Sequence, residues 1–291
     1  MYRRIQAIQQ GNLTSDGAGV RLRRVFGYHD VPRFDPFLML DYFDSTNPDD
    51  YIKGFPWHPH RGIETITFLF AGKIKHGDSL NNNGLIGDGD CQWMTAGSGI
   101  IHQEMPQISP HLWGVQLWAN LRARDKMTRP RYLEITAAKV PQTELDGSRI
   151  RIIGGRCAGI RGPAQRPDID ASFLDIAIGP HQAFQIAKGP EQRVLALLAQ
   201  GKADFDGQTP PVDQPGSVVL YETGPAAGEQ IRIAAAANGA RILLVSGQPI
   251  GEPVAWGGPI VMNTKEELDQ AFREYRNGSF IKNQSEFASI L

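Results

Sequence analysis

The sequence predicts an all-β protein made of two tandem β-barrels, with one helix near its C-terminal end. Three observations lead there. Gly 32 and Pro 20 among 291 residues favour a turn-rich β chain over a helical one. Short β-branched and aromatic runs recur between Gly, Pro, Asn and Asp clusters, the pattern of a sandwich or barrel. The two halves of the chain also read as distant copies of each other.

The first set of strands is expected at 20–26, 63–70, 91–94, 112–119 and 131–135. A polar stretch from Lys139 to Ser148 then marks a boundary and gives two domains, 1–140 and 141–291. The second set is expected at 149–153, 173–178, 193–198, 217–222, 230–234 and 241–245. The strand at 63–70 runs into Ala71-Gly72-Lys73 much as 193–198 leads to Gln200-Gly201-Lys202, and Thr95-Ala96-Gly97 is echoed by Glu222-Thr223-Gly224. Over about 264–276 the tail reads as a helix within the C-terminal domain: Thr264 and Glu267 have capping-box spacing. Leu268, Ala271, Phe272 and Tyr275 form one apolar stripe, so the helix should pack across a barrel.

Composition excludes some classes of function. A formal net charge of −1 provides no electrostatic footprint for phosphate backbones, so no direct nucleic-acid partner is expected. Cys91 and Cys157 imply no disulfide framework and suit a reducing compartment. No apolar run approaches the roughly 20 residues that span a bilayer. Met1-Tyr2-Arg3-Arg4-Ile5 has a basic start, but Gln9, Gln10, Asn12 and Asp16 follow in place of an apolar core. The expectation is a soluble, cytoplasmic monomer without a membrane partner.

The chemistry concentrates in two short motifs. In His58-Pro59-His60 two imidazoles stand two residues apart, and in an extended segment they project to one face. His102-Gln103-Glu104 repeats the arrangement. Either motif alone would be an ordinary polar turn. On neighbouring strands, however, His58, His60, His102 and Glu104 would offer three nitrogens and one carboxylate oxygen to one metal ion, with positions left open for a reactant. Glu64 shares parity with His60 and could be a fifth ligand; the preferred expectation is that it supports the ligands from behind, with a buried structural carboxylate as the alternative. Cys91 reads as core. His29, His76, His111 and His181 lack a partner at ligand spacing and are left out.

The run Gly54-Phe55-Pro56-Trp57-His58-Pro59-His60-Arg61-Gly62-Ile63-Glu64-Thr65, with Gln92-Trp93-Met94-Thr95-Ala96-Gly97-Ser98-Gly99-Ile100-Ile101-His102-Gln103-Glu104-Met105-Pro106, resembles the pirin family. Further matches run from Gln116-Leu117-Trp118-Ala119-Asn120 to Val261-Met262-Asn263-Thr264. The resemblance implies a bicupin, two cupin barrels of jelly-roll type, with a mononuclear metal in the first. Its ligands, carried over position by position, are His58, His60, His102 and Glu104. The metal implied is Fe(II), although the set also suits Mn, Co, Ni, Cu and Zn. Two departures stand at the mouth of the site: Trp57 in place of an acidic residue, and Gln103 in place of a small one.

In the second barrel the corresponding positions fall on Ala187, Gly189, Glu229 and Ile231, so no second metal is expected. The resemblance further implies quercetin 2,3-dioxygenase chemistry, in which a flavonol and O2 react at the metal with Glu104 as the base for the flavonol hydroxyl. The alternative it implies is an iron-dependent regulatory protein that binds a transcription factor or a metabolic enzyme without turnover. Arg122, Arg124, Lys126, Arg129 and Arg131 would then form a partner-facing strip or, more simply, a solvated face.

Overall fold

The computed structural model describes residues 1–164 and 171–283, which divide into two compact units. Both are all-β, as the alternating runs require. No helix among the described residues is long and apolar enough to cross a membrane.

The unit that carries the histidine motifs comprises Leu13–Arg33, Phe37–Ala137 and Ile250–Leu291. It has two main antiparallel sheets. The larger runs, in order, Arg131–Ile135, Cys91–Thr95, Ile63–Ala71, Leu112–Asn120, Phe37–Ser45, Val20–Phe26 and Asn12–Asp16. The smaller runs Phe55–His60, Ile100–Gln107, Lys73–Asp78 and Asn83–Ile86.

Side chains alternate across each strand, and one face of each builds a layered interior. Leu22, Phe43, Leu69, Ile74 and Leu112 form an apolar cluster toward one end. Met39, Ile63, Met94, Ile100 and Trp118 form another toward the opposite end. Between them the same strand faces carry Thr67, Gln92, His76, Glu104 and Gln116, four of them fully buried and Gln116 partly so. The period-2 pattern therefore changes from apolar to polar in mid-strand. Buried polar groups are costly unless hydrogen-bonded, and Thr67, Glu104 and Gln116 bond to one another here, so this layer marks a candidate site apart from the two histidine motifs.

The C-terminal helix, Lys265–Arg276, forms as its capping box requires: Thr264 accepts from the Glu267 amide, and the Glu267 carboxylate accepts from the Thr264 amide. Its place differs from the expected domain 141–291. The helix belongs to the unit of the first barrel, because Leu268, Ala271 and Phe272 pack with Ile260, Met262, Ile101 and Phe280. Tyr275 lies at the rim, edge-on to Phe280. The buried Arg61 guanidinium fastens this packing, donating to Glu274 and to the Phe280 carbonyl, each at 2.8 Å, above the Phe280 ring. An apolar stripe reveals that a helix is covered, not by what.

Lys126 also departs from expectation. It is no surface cation: it is buried and donates from Nζ to Asn120 Oδ1 at 2.6 Å and to the Gly62 and Val261 carbonyls at 2.9 Å. Three acceptors around one side chain make it a strut between the turn after His60 and the C-terminal hairpin of Ala255–Gly257 and Ile260–Met262.

The other unit comprises Met1–Asn12, Phe34–Pro36 and Ala138–Pro249. The N-terminal residues thus join the second barrel, again unlike the expected 1–140. Ile5–Gln9 pairs with Val218–Tyr221. Buried Arg3 donates to the carbonyls of Gly228, Lys188, Gly189 and Gln192. The runs at 230–234 and 241–245 fuse into one strand, Gln230–Gly247, since Gly239 bends the chain without ending the pairing. Ile152, Leu174, Phe184, Leu198, Ile231 and Ile242 fill the interior. Of the four positions compared with the metal motif, Ile231 is core, and among the described residues no cluster of metal-binding side chains occurs in this barrel.

Candidate metal centre

His58 and His60 end the strand Phe55–His60, and His102 and Glu104 lie on Ile100–Gln107. These strands pair antiparallel with His102 directly opposite His58. That register brings the H-x-H face of one strand against the H-x-E face of the other. The ring centroids are 4.8 Å apart for His58 and His60, 4.4 Å for His58 and His102, and 5.0 Å for His60 and His102. One ring nitrogen from each lies within 4.8 Å of the others, an arrangement that could hold a metal ion.

The backbone selects the tautomers. His58 Nδ1 stands 2.7 Å from the Pro56 carbonyl and His60 Nδ1 3.1 Å from the Pro259 carbonyl. A carbonyl only accepts, so each Nδ1 carries the proton and each Nε2 turns a lone pair inward. The two Nε2 atoms face each other at 3.0 Å. Lone pairs at that distance repel unless a proton or a cation sits beside both. His102 is buried, and neither of its ring nitrogens has a hydrogen-bond partner. Burial takes His60 down to about 3, helped by His58, and takes His102 well below its ordinary value. Neutral imidazoles aimed at one point are the donor set that a divalent transition metal requires.

Glu104 is buried on the same inward face, since the strand Ile100–Gln107 alternates regularly between buried and half-buried residues. Its carboxylate stands outside the group of three nitrogens. Oε1 accepts from Thr67 Oγ1 at 2.9 Å and Oε2 from Gln116 Nε2 at 3.2 Å. A register irregularity separates Glu104 from His102. Of the four expected ligands, three histidines come together, and Glu104 shares the buried face of the His102 strand with its carboxylate outside their group.

Glu64 resolves differently. Its oxygens accept from Trp93 Nε1 at 2.7 Å and Thr95 Oγ1 at 2.6 Å, on the face of its strand opposite Thr67. The parity argument that linked it to His60 fails at Gly62, whose φ of +77° turns the chain between the two strands. His29 and His181 are exposed, and His111 pairs with Asp44 at 2.6 Å, so these three stay outside the site.

His76 was set aside in the sequence and is buried beside the site, directly across the strand pair from Glu104. The signal for it is faint: Ile74 and His76 alternate with the exposed Lys73 and Lys75. Around the histidines, Trp118 stands edge-on to His60 at 5.0 Å, with Met39, Met94 and Ile100 in the same apolar cluster. Trp57 lies exposed next to His58.

The buried neutral histidines make stability depend on pH. His60 titrates at about 3 when folded and near its ordinary 6.5 when unfolded. Above 6.5 both states are neutral and it contributes nothing; as the pH falls from 6.5 toward 3, only the unfolded chain gains the proton. The metal-free protein is therefore expected to lose stability in that window, by up to roughly 1.4 kcal/mol per pH unit for each such histidine. Urea midpoints at about pH 7.5 and about pH 5 check this, and equal midpoints would contradict it.

A family model described as Pirin matches residues 19–119, and one described as Pirin C-terminal cupin domain matches 173–281. A pirin-like protein of Caulobacter vibrioides is 42% identical over 281 residues, covering 96% of this chain and 99% of its own. The crystal structure of quercetin 2,3-dioxygenase from Acinetobacter baumannii is similar at TM-score 0.86 and 30% identity, covering 96% of this chain and 99% of that one. A bacterial pirin from Escherichia coli, solved in complex with nickel(II), shares the fold at TM-score 0.63 and 18% identity, over 84% of this chain and 98% of that one.

Proposed function

The chain belongs to the pirin family, and from that premise we propose that it is a metal-dependent dioxygenase that cleaves flavonols with O2. The observation that carries this reading is the convergence of three imidazole nitrogens beside one buried carboxylate. The similarity to a quercetin 2,3-dioxygenase structure supports the choice of substrate.

On this reading His58, His60 and His102 hold the ion, Fe(II) by preference, and Glu104 is the fourth ligand or stands next to it. A divalent ion there supplies Lewis acidity toward an enolic oxygen and, for iron, one-electron chemistry toward O2. Glu104 takes the proton from the flavonol hydroxyl. Donors from Thr67 and Gln116 fix the carboxylate against the polar layer. Met39, Met94, Ile100 and Trp118 form a buried apolar cluster that reaches His60 through the Trp118 ring, surroundings that would suit an aromatic substrate.

The test is anaerobic loading with Fe(II), followed by O2 uptake and loss of flavonol absorbance. Glu104→Gln keeps the shape of the side chain and removes the base, so turnover should fall about 10²–10⁴-fold. No turnover by an iron-loaded wild-type protein would sink the enzymatic reading.

A further inference from the structure

The two sheets of the first barrel leave a pair of unjoined edges, Asn83–Ile86 on one and Arg131–Ile135 on the other. Residues from both edges line a cavity of about 320 Å³, with His76, Asn82, Asn83, Tyr132 and Glu134 around it. That lies at the small end of the roughly 300–1,000 Å³ typical of ligand pockets. No part of the proposed metal centre lines it.

Three features of this side chamber point to a ligand. His76 is 2% exposed, its Nδ1 has no hydrogen-bond partner and its Nε2 has only the 3.5 Å contact with Glu134; the buried Tyr132 hydroxyl has no hydrogen-bond partner. Buried polar atoms left unpaired are rare, and each one needs an account. Next, the His76 and Tyr132 rings lie within 32° of parallel at 4.8 Å, which gives the chamber a flat aromatic wall. Finally, Gly84 supplies a cradle: a Cβ there would fall 2.6 Å from both Glu134 Oε2 and His76 Nε2, which themselves stand 3.5 Å apart.

Charge narrows the ligand class. Glu134, Glu104 and Asp78 all act electrostatically on His76 and Tyr132, so an anion is repelled. Asp78 is already occupied by the amides of Leu80 and Asn82 and by the Asn82 side chain, which leaves Glu134 as the available carboxylate. Its Oε2 stands 3.5 Å from His76 Nε2, and both carboxylate oxygens keep further lone pairs, which suits a pair of adjacent hydroxyl donors. The aromatic wall and small volume suit a flat ring.

We propose that the side chamber binds a catechol ring, with both hydroxyls donating to the Glu134 carboxylate and Tyr132 Oη donating to one of the catechol oxygens. The ring could arrive as free catechol or as the hydroxylated ring of a polyphenol such as quercetin. The proposal does not require turnover, so it can fail while the dioxygenase reading stands, and the reverse.

Catechol is titrated calorimetrically under argon into the full chain, as purified and after chelation. Saturable binding is expected in both states; after chelation no metal is left to take up catechol, so binding there reports the chamber alone. Glu134→Gln and Tyr132→Phe, both close in shape to the native residues, should each weaken it about ten-fold, and resorcinol, whose hydroxyls are not adjacent, should bind about ten-fold more weakly. Gly84→Ala should weaken it too, by displacing Glu134 and His76. Competition identifies the source. Displacement of catechol by quercetin and not by 3-hydroxyflavone supports a polyphenol ring in the chamber; displacement by neither supports free catechol. Affinity unchanged in both Glu134→Gln and Tyr132→Phe, or no saturable binding to wild type, overturns the proposal.

Discussion

His102→Ala is expected to abolish stoichiometric metal retention and to lower apparent metal affinity by at least about 100-fold, because it removes one of three convergent nitrogens. The same substitution should leave the fold intact or improve its tolerance of acid. His102 is buried with both ring nitrogens unpaired, so it contributes no hydrogen bond to the metal-free protein, and it is one of the groups that must charge on acid unfolding. Loss of metal without loss of stability separates a ligand from a structural histidine. Elemental analysis after gel filtration, with urea unfolding of the stripped protein alongside, reads both. A variant that retains wild-type metal content would refute the proposed centre.

Gly62→Ala should have the largest effect on stability, a loss of more than about 3 kcal/mol. Gly62 has φ +77°, and a Cβ there would fall 1.9 Å from the Val261 carbonyl oxygen. The backbone at Val261 cannot retreat freely, since its amide bonds to the Arg61 carbonyl and its own carbonyl accepts from Lys126. The collision therefore spreads to the hairpin that supplies Pro259 to His60, and metal retention should fall together with the unfolding midpoint. Gly251→Ala is the control: its φ of +69° is similar, but nothing lies within 4 Å of the new methyl, so only backbone strain of about 1–2 kcal/mol is expected. Equal midpoints for the two variants would show that the contact with Val261 is unimportant.

What could be read in the sequence followed distance along the chain. His58 and His60 share one strand, His102 and Glu104 another, and period-2 spacing sufficed to assign each pair to one face. The helix was legible from Thr264 and Glu267 because a cap is a local device. Its docking partner was not, because Arg61 and Glu274 are brought together only by the fold. Lys126 sat among arginines and looked solvated; two of its three acceptors, the Gly62 and Val261 carbonyls, come from distant segments. His76, Tyr132 and Glu134 were illegible together for the same reason: no spacing rule connects His76, inside one sheet, with residues on the unpaired edge of the other. Glu104 lies between these cases, its face predictable and the hydrogen bonds that orient it dependent on Thr67 and Gln116.

The bond from His60 to the Pro259 carbonyl spans 199 positions. During synthesis at about 5–20 residues per second, Pro259 emerges roughly 10–40 s after His60. In that interval the ribosome makes all of Ala138–Pro249, which belongs to the other barrel. The first barrel therefore waits for the second to be translated before its histidine cluster can take its final orientation. Metal acquisition in its finished geometry is a late event in the life of the nascent chain, and ribosome-bound chains stalled before residue 250 should compete poorly for metal with released protein.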